Sequence, residues 1–278
     1  MRTIAAADPC QCGETAASRL MRASLRSSGL IVRCKNCALV RTDPRPSTAD
    51  LAVGLYDEDR TAYYDMNAAN FRAGATLVLS RLFAQQTVHR LLDVGCGPGT
   101  FVASAREMGI EAHGIEVNAN DVAYCAARGL GDSVHRLDLD AAASMLGTFD
   151  GAVMNHVLEH VDDPVKFLRT VGGLLEPGAH LVVAVPDYGS LSRVLLRQYW
   201  YGLQPTTHLF HFERESLARV IIDAGFELRS IESRTTVGTE YHTHRPRSLG
   251  RRAYASVVLP LSERIGRTDQ LIAVGART

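Results

Sequence analysis

The sequence predicts an α/β domain on a mostly parallel sheet, preceded by a small cysteine-bearing module. Three observations lead there. From His89 onward, short apolar runs alternate with stretches of helical periodicity, the pattern of parallel strands joined by crossover helices. A glycine-rich turn, Gly95-Cys96-Gly97-Pro98-Gly99, falls between the run Arg90–Val94 and the helical stretch that follows. Four of the six cysteines lie in two close pairs near the amino terminus, Cys10 with Cys12 and Cys34 with Cys37.

Taken in order, residues 1–47 form the cysteine module, which ends in Thr-Asp-Pro-Arg-Pro-Ser, a stretch that cannot be helical throughout. It is basic: Arg2, Arg19, Arg22, Arg26, Arg33, Lys35, Arg41 and Arg45 outnumber Asp8, Glu14 and Asp43. Residues 48–88 carry apolar side chains at helical spacing with tyrosines among them, and are expected to form a helical linker or cap. Residues 89–278 form the main domain. Its strands are expected at Arg90–Val94, Glu111–Glu116, Val134–Leu137, Phe149–Met154, Ala179–Val185, Phe226–Ile231 and Leu271–Gly275, with Ala179–Val185 the most apolar and central. Asp163 can cap a helix that Pro164 begins. A second helix, over Ser216–Ala224, should stop at Gly225. Two segments, 187–212 and 233–267, break the alternation, and long excursions at strand ends commonly serve as lids or substrate walls.

Composition narrows the function. The formal net charge is zero, with 30 Lys and Arg against 30 Asp and Glu, which gives no general attraction to nucleic acid. No apolar run approaches the roughly 20 residues of a membrane span, and the apolar stretch at the amino terminus is too short for a secretory signal. A cytoplasmic protein is expected, in which cysteines act as ligands or free thiols rather than disulfides. No feature fixes an oligomeric state.

The glycine turn suits close approach of a ligand to the backbone. Glu116, at the end of the next strand, is placed to accept hydrogen bonds from the two hydroxyls of a ribose. A loop of this kind serves several adenosine ligands. Here Thr100 stands where a dinucleotide fingerprint wants glycine, and Asp93 just before the loop suits a cationic amino acid group better than a pyrophosphate.

Further along, Phe149-Asp150-Gly151-Ala152-Val153-Met154-Asn155-His156-Val157-Leu158-Glu159-His160 resembles the fourth motif of class I S-adenosylmethionine-dependent methyltransferases, in the form that ends Leu-Glu-His. Leu174–Leu181 and Ala224-Gly225-Phe226 resemble that family's turns into its fifth and sixth strands. The resemblance covers Leu91 to about Ile231. It implies a Rossmann-like seven-stranded sheet of order 3-2-1-4-5-7-6, its last strand antiparallel, with helices on both faces. It implies S-adenosylmethionine as cofactor, held by Asp93, Gly95, Cys96, Gly97 and Gly99 around the methionine and ribose, by Glu116, Val117 and Asn118 at the ribose, by Asp138 (or Asp140) and Leu139 at the adenine, and by Asn155 and His156 beside the sulfonium. Tyr64, with Tyr56 and Tyr63, would close over the cofactor, or else pack between helix and sheet.

Two thiolate pairs suit a tetrahedral zinc ion. Residues Arg33–Val40 followed by Asp43-Pro44-Arg45-Pro46 resemble the second knuckle of a zinc ribbon found before some bacterial methyltransferase domains. The first knuckle has one residue between its cysteines where two are usual. Cys10, Cys12, Cys34 and Cys37 would hold structural zinc or remain free thiols.

Methyl transfer to oxygen or nitrogen often needs a base, and histidine suits that task. The candidates are His208, His156 and His211; each is equally well explained as hydrogen-bonded structure, and His160 as a positioning residue. Trp200, Phe210 and Phe212 would form a substrate wall or pack. His242 and His244 fit a surface loop, and Arg245, Arg247, Arg251 and Arg252 fit a solvated loop better than a phosphate anchor. The expected acceptor is a small molecule such as a sugar, a polyketide or another secondary metabolite. RNA methylation and a catalytically inactive cofactor-binding adaptor are the alternatives.

Overall fold

The computed structural model describes residues 3–22, 29–46, 51, 59–235 and 254–278. Tyr56, His242, His244 and the arginines at 245, 247, 251 and 252 lie outside them.

Short antiparallel strands form first: β1 (Thr3–Ala5), β2 (Ala16–Arg22), β3 (Leu30–Cys34) and β4 (Val40–Asp43) pair in sequence order. The cysteine pairs sit in or beside the β1–β2 and β3–β4 turns. Those turns use left-handed residues, Gly13 at φ 81° and Ala38 at φ 61°. Helix α1 (Thr61–Phe83) follows and turns Ala75, Val78, Leu79 and Leu82 onto the main sheet, all fully buried.

The main domain alternates as expected: β5 (Arg90–Val94), α2 (Thr100–Glu107), β6 (Glu111–Ile115), α3 (Ala119–Cys125), β7 (Val134–His135), α4 (Leu139–Met145), β8 (Phe149–Asn155), α5 (Pro164–Gly173) and β9 (Leu175–Pro186). Then come α6 (Leu191–Leu196), β10 (Phe210–His211), α7 (Arg214–Asp223), β11 (Phe226–Arg234), α8 (Leu259–Arg264) and β12 (Gln270–Arg277). The seven-stranded sheet runs β7-β6-β5-β8-β9-β12-β11, the order 3-2-1-4-5-7-6. β12 is antiparallel to both neighbours.

The sheet is covered on both sides, so its strands are apolar on both. Leu181, Val183 and Val185 of β9 enter the layer beneath α5 and α7, while Val182 and Ala184 enter the layer beneath α1 and α2. Asp163 caps α5 through Lys166 N at 3.0 Å with Pro164 in its first turn. Gly225, at φ 92°, ends the α7 segment. The third strand is shorter than expected. It pairs only Val134 and His135 with β6, because it lies at the sheet edge and Asp138 caps α4 instead of continuing the strand.

One pairing ties the segments together. β10, from the 187–212 excursion, adds to the amino-terminal sheet by pairing with β4, Phe210 opposite Arg41 and His211 opposite Val40. Ile31 and Val40 of that sheet share an apolar cluster with Tyr188, Trp200 and Leu203. Trp200, Phe210 and Phe212 are all at most 2% exposed. Their role is therefore packing: the excursion is docked against the cysteine module. Arg33 adds a two-pronged bond to Glu213 at 2.6 and 2.8 Å.

Candidate active site

The glycine loop follows β5 and takes its shape from three left-handed residues, Gly95 (φ 68°), Gly97 (φ 49°) and Gly99 (φ 69°). At Gly95 a Cβ would stand 2.5 Å from Val157 Cγ2, so the residue after His156 closes on the loop from the next motif. Cys96 turns its sulfur inward, where it would meet a Cβ on Gly114 at 2.6 Å. Only its backbone faces the loop.

Glu116 follows directly on β6 and organises the turn. One carboxylate oxygen accepts from Val117 N and Asn118 N at 2.7 and 2.9 Å, the other from Gly97 N at 2.9 Å. Val117 is exposed and offers an apolar face, while Asn118 is buried and caps α3. Asp93 is 1% exposed, and its Oδ2 has no hydrogen-bond partner among the described residues. Burial, and then the charge of Glu116, push its carboxyl well above the usual carboxylate range. Asp138 is exposed, with one oxygen occupied by the cap to Ala141 N at 2.8 Å, and Leu139 is buried beside it.

Tyr64 reaches over the loop. Its hydroxyl donates to Asp121 Oδ2 at 3.0 Å and would stand 3.7 Å from a Cβ on Gly97. Arg60 pairs with the same carboxylate. Arg60 and Asp121 are absent from the sequence reading, since an acid in the first turn of a helix passes for an ordinary helix-end charge. Tyr63 stacks edge-on with Phe71 and belongs to the packing of α1.

Beside the loop a cleft opens between α1 and the carboxyl ends of the strands, lined by Asn67, Asn70, Phe71, Phe101, Asn155, His156 and Gln270. His156 holds an unusual backbone for a residue with a side chain, φ 56°, which aims the ring at this cleft. Its Nδ1 meets Glu159 Oε1 at 3.2 Å and its Nε2 meets Gln270 Nε2 at 3.1 Å. With the amide donating, Nδ1 carries the proton and gives it to the carboxylate. Gln270 also donates to Asn155 at 3.3 Å; no local motif marks it, because it arrives from the last strand. Burial works against the charge on Glu159, but the bond from His156 and the neighbouring imidazoles draw its carboxyl down to about 2.

His208 and His211 lie apart from this cleft. Both are buried, and His211 Nε2 is bonded to Thr42 Oγ1 at 3.1 Å. Burial pushes His208 well below the usual histidine range and His211 to about 3.

The four amino-terminal cysteines converge. Cys10 and Cys37 sulfurs are 3.4 Å apart, Cys12 and Cys34 sulfurs 3.6 Å, and all four lie within 4.8 Å of one another. Tetrahedral zinc with bonds of about 2.3 Å holds sulfurs about 3.8 Å apart, so the set fits that ion. Their contact draws the Cys10 thiol down and pushes the Cys37 thiol up, so the pair shares a proton that a bound metal would displace.

Residues 66–231 match the protein family described as Methyltransferase domain. A ubiquinone biosynthesis O-methyltransferase of Xanthomonas oryzae is 35% identical over 100 residues, covering 34% of this chain and 42% of that protein. The chain thus spans less than half the length of that relative. A crystal structure of a SAM-dependent methyltransferase from Archaeoglobus fulgidus superposes with a TM-score of 0.52 at 22% identity, over 77% of this chain and all of that one. Magnesium protoporphyrin IX methyltransferase from Synechocystis, with bound S-adenosylhomocysteine, superposes with a TM-score of 0.52 at 15% identity, over 76% of this chain and 84% of that one. Both structural likenesses are of fold. Among the described residues no helix is long and apolar enough to cross a membrane.

Proposed function

This chain belongs to the methyltransferase domain family, and we propose that it is an S-adenosylmethionine-dependent enzyme that methylates a small molecule. One observation carries the reading. Next to a loop of three left-handed glycines lies a buried carboxylate oxygen without a partner among the described residues, Asp93 Oδ2. A buried orphan of this kind is costly unless a ligand satisfies it, and a cationic amino acid group would do so. Glu116 at the neighbouring strand end would hold the ribose with Val117 beside it, Asp138 would meet the adenine, and Tyr64 would cover the loop.

When bound, the cofactor supplies a methyl group on a positively charged sulfur, open to in-line attack. The chain's own residues align the acceptor and handle its proton. His156 faces the cleft and would take a proton at Nε2 once the acceptor displaces the Gln270 amide from it, with Glu159 steadying the cation through Nδ1. Gln270 holds the ring and Asn155 in register. Phe71 and Phe101 supply apolar walls against water. An oxygen acceptor is the first to test, because the curated relative is an O-methyltransferase. The four cysteines would hold a structural zinc, with no open position for chemistry. In this reading residues 1–47 are the ribbon, 48–88 the cap and 89–278 the transferase domain.

Calorimetric titration with S-adenosylmethionine, and with NAD as control, tests the reading. Micromolar binding of the first alone is expected; binding of NAD alone would make the chain a dehydrogenase. The same titration reads Asp93. Its carboxyl lies well above the usual range in the free protein, and a cation beside it favours the ionised form. Binding should therefore release a proton, and affinity should rise with pH. Buffers of differing ionisation enthalpy measure that release; no proton exchange would show that Asp93 does not meet the cation. Glu116→Ala should weaken cofactor binding by about 1–3 kcal/mol, the scale of a lost charged hydrogen bond. Unchanged affinity would put the ribose elsewhere.

A further inference from the structure

Away from the cysteine cluster, a second set of metal-ligating side chains converges. Glu159 and His160, from the turn after β8, meet His208, from the excursion docked under the ribbon. One ligand atom from each lies within 4.8 Å of the other two. We propose that Glu159, His160 and His208 form a binding site for a divalent first-row transition-metal ion, distinct from the four-cysteine site.

Three features argue for it. First, each ring is turned for ligation by a backbone carbonyl. His160 Nδ1 lies 2.9 Å from Thr207 O and His208 Nδ1 lies 2.9 Å from Gly202 O. A carbonyl only accepts, so each Nδ1 carries the proton and each Nε2 keeps its lone pair. This is the outer-shell arrangement by which metal-bound histidines are oriented.

Second, Glu159 is 1% exposed, and while its Oε1 meets His156, its Oε2 is buried with no hydrogen-bond partner among the described residues. A buried carboxylate oxygen left bare is costly, and a cation beside the two imidazoles removes the cost.

Third, the elements carrying the ligands are already locked together. Leu209 N donates to Glu159 O at 2.8 Å, Thr42 Oγ1 donates to His208 O at 2.8 Å, and the His160 and His208 rings meet edge-on with centroids 4.7 Å apart. A tetrahedral ion with bonds of about 2.1 Å sets its ligand atoms about 3.4 Å apart. Side-chain adjustment within this frame closes the gap.

Two nitrogens and one carboxylate suit zinc, iron or manganese rather than calcium or magnesium, which prefer all-oxygen sets. Three protein ligands leave a coordination position open. The ion would be joined through the Glu159 carboxylate to His156, and so to the cleft.

The test uses the full chain, freed of metal by chelation and titrated with Co2+ as the probe. Cobalt on four thiolates shows sulfur-to-metal charge transfer; cobalt on nitrogen and oxygen does not, so the two sites separate in one spectrum. The expected result is a bound equivalent with visible bands and no thiolate charge transfer. It should appear in addition to the thiolate-bound equivalent and bind at least tenfold more weakly in His208→Ala. His160→Ala is the second variant should His208→Ala fail to fold, and the wild-type spectrum decides the question without either. Only thiolate-bound cobalt in the wild type would overturn the proposal. So would a nitrogen- and oxygen-bound equivalent unchanged in folded His208→Ala or His160→Ala. The outcome does not depend on cofactor binding or methyl transfer, so failure here leaves the transferase reading standing.

Discussion

Serine in place of Cys37 should abolish zinc binding at the proposed four-cysteine site and, with it, the order of the amino-terminal sheet. The four sulfurs lie within 4.8 Å of one another, and the strands that carry them are short, from three to seven residues. Such small sheets bury too little apolar surface to stand alone. Structural zinc supplies about 10–16 kcal/mol of apparent binding energy in small zinc modules, so its loss should unfold this one. The damage should spread further than the ribbon. β10 would lose its partner β4, and Tyr188, Trp200 and Leu203 would lose the cover of Ile31 and Val40. Elemental analysis of the purified variant, with thermal melting followed by Trp200 fluorescence, measures both effects. The wild type should hold zinc in these thiolates and the variant should not, with Trp200 exposed at a lower temperature. A melt that neither chelator nor substitution alters would show that the ribbon stands without metal.

His156→Ala should lower kcat by about 10²–10⁴-fold, the range expected for loss of a positioned general base, with little change in cofactor affinity. The argument is geometric. Among the candidate bases only His156 lines the cleft, and its Nδ1 is already tied to a buried carboxylate. His208 and His211 face buried backbone and side-chain partners. Turnover is followed as S-adenosylhomocysteine release with the acceptor that the wild type accepts. A kcat within threefold of wild type would remove His156 from proton transfer and leave alignment as the protein's main contribution.

Much of the fold was legible because its determinants are local. The apolar runs gave the strands of the main sheet within a few residues, since a strand covered on both faces must be apolar along its length. Asp163 with Pro164, and Gly225, marked helix ends through short-range backbone chemistry. The glycine loop and Glu116 were visible because turn glycines and a strand-end acid lie about one βα unit apart. The third strand was overestimated, because whether Arg136 and Leu137 join a ladder depends on a neighbour that an edge strand lacks.

What sequence alone determined here is the family, the order of the sheet and the residue types around the cofactor loop; each depends on contacts between residues near one another in the chain or on a motif spacing. The tertiary structure decided the rest. It decided between wall and core for the aromatic stretch, in favour of core, by pairing β10 with β4, and docked the Asp187–Phe212 excursion against the cysteine module. It placed His156 on the cleft and His208 and His211 away from it, brought Arg60 to Asp121, and carried Gln270 from the last strand to the fourth motif. Those outcomes rest on burial and on pairings between residues 61 to 171 positions apart. A local pattern carries no record of which distant group will cover it, because that is settled only when whole layers pack and each buried polar atom must find a partner.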